Sequence, residues 1–104
     1  MRNYEIMFIV RPDVEEEELK ASREKVQSII AEHDGSVIEE QDMGKRRFAY
    51  TIAHKRGNEP VKYNEGYYTV YNFKANTGVV AELNRVLNID DRVLRHLVIK
   101  LDEK

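Results

Sequence analysis

The chain has 104 residues, 41% of them hydrophobic and 35% charged, with a formal net charge of −2. Such a length and composition suit one domain, residues 1–104, with one core. They exclude a long apolar membrane span, and the absence of cysteine excludes disulfides, thiolate catalysis and cysteine-ligated metals.

The small net charge hides a strong segregation. From Asp13 to Asp42 eleven acidic residues stand against three basic ones, a net of −8. From Gly44 to Lys62 six basic residues stand against Glu59, a net of +5. One part of the chain repels a polyanion and another can meet it. A protein that coats nucleic acid without preference is usually basic throughout, so that role is disfavoured. The opening Met1-Arg2-Asn3-Tyr4-Glu5 has neither signal-peptide nor transit-peptide character. With no cysteine, a reducing cytoplasm is the expected setting.

In chain order, Tyr4 to Val10 reads as a strand, apolar on both faces. Arg11-Pro12 ends it. Asp13 and Glu16 form a capping-box pattern ahead of a helix whose stripe is Leu19, Val26, Ile29, Ile30 and His33, stopped by Gly35. Val37 to Asp42 and Arg46 to Ala53 read as two pieces of one strand, with Gly44 as a bulge or kink between them. Residues 54–66, with two glycines, Pro60, Asn58 and Asn64, read as a long loop. Tyr67 to Phe73 is a tyrosine-rich strand. Asn76-Thr77 is placed to cap a second helix carrying Val79, Val80, Leu83, Val86 and Leu87. Asn88 to Asp91 is a turn, and Val93 to Leu101 the last strand.

The order β-α-β-β-α-β predicts an α+β, ferredoxin-like fold: a four-stranded antiparallel sheet with two helices on one face. The opposite sheet face then has no helix, and strand alternation leaves apolar side chains on it whichever parity holds. A patch of that kind usually marks a partner site. Aliphatic Ile9, Leu97 and Ile99 suit a protein partner better than base stacking, and the glycine-aromatic signature of an RNA-recognition module is absent.

The densest chemistry is Gly44-Lys45-Arg46-Arg47-Phe48-Ala49-Tyr50, a cationic strand start followed by alternating aromatics. Cations there can meet phosphates and rings can meet bases or a partner. A solvated basic edge against sheet aggregation is the plainer alternative. The chain has no P-loop, dinucleotide fingerprint or nucleophile elbow. His33, His54 and His96 lack ligand spacing and read as structural or solvent-facing. Asp90-Asp91 reads as a turn pair. Arg11 follows the first strand, as in acylphosphatase-like enzymes, but no glycine-rich cradle surrounds it.

Three pieces in order carry a resemblance: Met1-Arg2-x-Tyr4-Glu5, Asp42-x-Gly44-x-Arg46-Arg47-x-Ala49-Tyr50-x-Ile52, and Asp91-x-Val93-x-Arg95. Together they resemble the family of bacterial ribosomal protein six of the small subunit, over nearly the whole chain. The resemblance implies a ferredoxin-like fold, no catalysis, no cofactor and no metal. It also implies a place in the cytoplasmic ribosome, binding to the central domain of small-subunit ribosomal RNA, and a heterodimer with the small basic ribosomal protein eighteen. By positional match Arg2, Arg46, Arg47 and Arg95 are expected to contact RNA or partner, with Lys45 joining them on charge. Met7, Ile9, Leu97 and Ile99 are expected on the partner face, with Tyr50 divided between contact and core. Thr51 stands where the family often has proline. Lys55, Arg56 and Lys62 of the 54–66 loop are candidates for an extra RNA contact, and the chain as given lacks the acidic tail some members carry. The alternative is a small-ligand regulatory domain forming homodimers through its sheet.

Overall fold

The apolar alternation of the first strand sets the plan of the molecule. In a computed structural model, which describes residues 1–56 and 59–101, β1 spans Arg2–Val10. Side chains at 50, 55, 56, 59 and 60 are outside the described residues. Tyr4, Ile6, Phe8 and Val10 are all buried, as one face of a strand under helices must be. The remaining elements are α1 (Glu16–Glu32), β2 (Ser36–Arg56), β3 (Glu59–Ala75), α2 (Val79–Ile89) and β4 (Val93–Lys100). The strands form one antiparallel sheet in the order β2-β3-β1-β4.

Both helices pack on the same sheet face. Val26, Ile29 and Ile30 of α1 and Val79, Leu83 and Leu87 of α2 share one core with the even-numbered β1 side chains and with Tyr71, Phe73 and Ala75 of β3. Cross-strand ring pairs anchor it, Tyr4 with Phe73 at 5.6 Å and Phe8 with Tyr71 at 5.9 Å between centroids. This is the predicted ferredoxin-like α+β arrangement.

Both helix starts differ from the capping predictions. Residues 12–14 turn before α1 begins and bury Val14, so the cap falls on Glu15. Its N–H donates to Glu18 Oε1 at 3.4 Å, and its carbonyl accepts from the Glu18 N–H at 3.0 Å. Asp13 instead pairs with Arg11 at 2.9 Å. At the other end Asp34, with φ +61°, takes the left-handed position. The N–H groups of Asp34 and Gly35 close on the carbonyls of Ala31 and Ile30. Gly35 is needed for space, since a Cβ there would collide with the Lys74 carbonyl. In α2 the cap is Gly78, while Asn76 Nδ2 donates to Asp34 Oδ2 at 2.9 Å and ties the two helices together.

Of the loop predicted over residues 54–66, the described residues 54–56 and 59–66 are strand. β2 runs on to Arg56 and β3 starts at Glu59, and the two pair as long antiparallel arms, Ala53 with Lys62 and Ile52 with Tyr63. Ile52 and Tyr63 are buried, so the extension carries its own apolar contacts. Gly66 had suggested a turn, but it marks a close approach: an added Cβ would lie 2.7 Å from Ile9 Cγ2 and 2.9 Å from the Val10 carbonyl. Gly57 and Asn58 lie outside the described residues. The expected kink at Gly44 is present, with φ +74° and a register shift between Asp42 and Gly44.

Candidate nucleic-acid interface

The face without helices is built from the alternate set of strand residues. Met7 stands between Val70 on β3 and Leu97 on β4, and Ile9 between Tyr68 and Arg95. Its two halves differ. Around Leu97 and Ile99 the surface is open, with these side chains 52% and 43% exposed and Met7 half-buried. Around Ile9, only 5% exposed, the hairpin closes over the sheet.

Two irregularities in β2 cause that closure. At the first, the Gly44 N–H donates to Asp42 Oδ1 at 3.0 Å, and Arg46 Nε donates to the Met43 carbonyl at 2.8 Å. A side-chain carboxylate and a guanidinium thus hold the bulge and fix where Arg46 leaves the strand. At the second, the register passes from Arg47↔Glu65 to Ile52↔Tyr63, so residues 48–51 of β2 stand against Asn64 alone. Extra residues on one strand bend it. His54, on the bent arm, then reaches the α2–β4 turn, with Nε2 3.0 Å from the Asp91 carbonyl and 3.7 Å from its Oδ1.

That turn is firm because of Asp90. Its carboxylate accepts from the Arg92 N–H and Nε, each at 3.0 Å, and lies 3.4 Å from Lys25 Nζ. Burial alone would raise its pKa, but the hydrogen bonds and charge of Arg92, aided by Lys25, hold it below the usual carboxylate value. The predicted turn pair Asp90-Asp91 therefore anchors the turn and the hairpin, and His54 has a structural part.

Between hairpin and sheet lies a cleft of about 250 Å³ lined by Ile9, Arg47, Phe48, Ala49, Ile52, Tyr68 and Arg95. The rings of Phe48 and Tyr68 meet at 5.9 Å and a tilt of 59°. Arg47 and Arg95, from the two outer strands, thus line one cavity although 48 residues apart. The other expected contact residues are dispersed. Arg46, exposed on β2, pairs with Gly66. Lys45 pairs with Tyr67, its Nζ lying 5.5 Å from the Tyr67 ring centroid. Arg2 sits at the far end of β1, about 23 Å from Ile9 at about 3.3 Å per residue. Ile9 is the floor of the cleft, not part of an open patch. Lys62 is exposed on β3. Tyr50, Lys55 and Arg56 fall outside the described side chains. Sequence reasoning missed Ala49 and Tyr68 as partners of the arginines. The aromatic alternation after Arg47 was visible, but the long bulge that aims it was not. Among the described residues no group of three His, Asp or Glu side chains is placed to hold a metal ion.

A family model described as Ribosomal protein S6 matches residues 3–100. The chain belongs to the ribosomal protein S6 family. It is 41% identical over 104 residues to the small ribosomal subunit protein bS6 of Moorella thermoacetica, covering 100% of this chain and 98% of the relative. It is 42% identical over 105 residues to bS6 of Syntrophomonas wolfei, covering both chains fully. The crystal structure of 30S ribosomal protein S6 from Thermotoga maritima superposes with a TM-score of 0.82 at 35% identity, covering 96% of this chain and 87% of that one. The family is one of structural proteins of the small ribosomal subunit, not of enzymes.

Proposed function

We propose that this protein is a non-catalytic, RNA-binding subunit of the small ribosomal subunit. It docks on the central domain of the ribosomal RNA together with the small basic ribosomal protein eighteen. The observation that carries the reading is the division of the helix-free face. Exposed Arg47 and Arg95 line the cleft beside the hairpin, exposed Arg46 stands next to Arg47 on β2, and exposed Leu97 and Ile99 lie on β4 beyond the cleft. Guanidinium forks suit phosphate, and an aliphatic strip suits a protein. A weakly acidic subunit can enter an RNA assembly when a basic partner supplies much of the phosphate neutralisation.

The test is binding to a central-domain RNA fragment across a salt series, with and without the basic partner. The expected result is tight binding with the partner present, falling steeply as salt rises. No binding in either condition, with a self-associated protein, would overturn the reading in favour of a homodimeric regulatory domain.

A further inference from the structure

We propose that the cleft between the hairpin and the sheet receives one unpaired nucleobase of the RNA. This inference rests on the RNA-binding reading and deepens it. The walls have the chemistry of a base slot. Ile9, Ile52 and Ala49 are apolar, and Phe48 and Tyr68 add two rings. The rings are tilted and not stacked on one another, so a third planar ring can lie against them. The volume, about 250 Å³, lies below the roughly 300–1,000 Å³ of pockets for drug-sized ligands and suits a single ring system.

The rim has the chemistry of a backbone clamp. Arg47 and Arg95 come from opposite edges of the sheet, so a nucleotide with its base in the slot has a cation on either side for its flanking phosphates. The same rim disfavours the basic protein partner, whose cations two arginines would repel. Charge complementarity therefore assigns this half of the face to RNA and the open Leu97–Ile99 strip to protein. A base paired in an A-form helix cannot enter, so the occupant is unpaired.

The hollow is also built rather than left over. It needs the four-against-one bulge, the His54 contact with Asp91, and the missing side chain at Gly66, where a Cβ would come within 3.3 Å of the Phe48 ring.

The test uses the full chain, the basic partner and the central-domain RNA fragment, with 2-aminopurine substituted at single unpaired positions. At one position the fluorescence should change on binding, and Tyr68→Leu should abolish that change. Ala49→Leu, which fills the cleft from an exposed position and keeps the fold, should weaken RNA binding roughly tenfold, as loss of one stacked base does. Its salt dependence should stay unchanged, because no phosphate contact is lost. Folded Ala49→Leu protein with undiminished RNA affinity, and no responsive analogue position, would overturn the base slot while leaving RNA binding intact. Loss of partner affinity without RNA in that variant would also overturn it, giving the cleft to a protein side chain. Failure of the unmodified protein to bind the RNA would instead remove the underlying reading.

Discussion

Asp90 shows how one carboxylate holds a turn on which a distant hairpin depends. Only 3% of its side chain is exposed, and Arg92 and Lys25 surround it. Its pKa is depressed in the fold, so its contribution is present above the unfolded value of about 3.9 and is lost as pH falls through the folded value. His96 adds a loss of the same sign at higher pH. Burial lowers its pKa, so protonation below an unfolded value of about 6.5 favours the unfolded chain. Urea unfolding from pH 7 to pH 3 should therefore show a first decline below about pH 6.5 and a second below about pH 4. Asp90→Asn should already lose about 1–3 kcal/mol at pH 7. Its curve should be flatter than the parent's below pH 4, and parallel curves would contradict the assignment. Which residues were acids was legible in the sequence. That Asp90 is buried and Asp91 takes the hairpin was not, because the partners Lys25 and His54 lie far along the chain.

Among the elements, glycines give the clearest lesson. Gly35, Gly44 and Gly66 look alike in the sequence and serve three purposes. Gly35 lets the end of α1 approach β3. Gly44 supplies a positive φ with open space around it, and Gly66 lets the hairpin lie close over Ile9 and Val10. The kink at Gly44 was readable, since a lone glycine inside a strand pattern signals a bulge. The run from His54 to Gly66 was misread because turn-forming residues were counted, whereas Ile52 and Tyr63 gain burial only when the strands pair. Tertiary packing overrides local preference there. Gly66→Ala should cost about 1–3 kcal/mol by overpacking against Ile9 and a backbone carbonyl. Thermal unfolding checks this, and an unchanged midpoint would mean that the hairpin yields.

For the whole molecule, function follows from how charge and apolar surface are parted. Acidic α1 lies on the helix side, and the arginine-rimmed cleft and aliphatic strip lie on the other. The two halves of that second face should be separable. Leu97→Asp should abolish binding of the basic partner in a folded protein. Arg46→Glu with Arg47→Glu should leave heterodimer formation within about twofold but cut RNA affinity at least tenfold, since phosphate contacts dominate such affinity. Titrations of each variant with partner and with RNA check this. Equal loss of both functions in both variants would show the surface to be one site.

By itself the sequence determined the element order, the apolar stripe of each helix and the kink at Gly44. These follow from periodicity and local chemistry, which act over a few residues. Only the tertiary structure decided that residues 54–56 and 59–66 extend the paired strands, that Ile9 is covered while Leu97 is not, and that Arg47 and Arg95 line one cleft. Those outcomes depend on the register of paired strands. A four-against-one bulge shifts that register, and no local pattern in the chain sets where the bent arm lands.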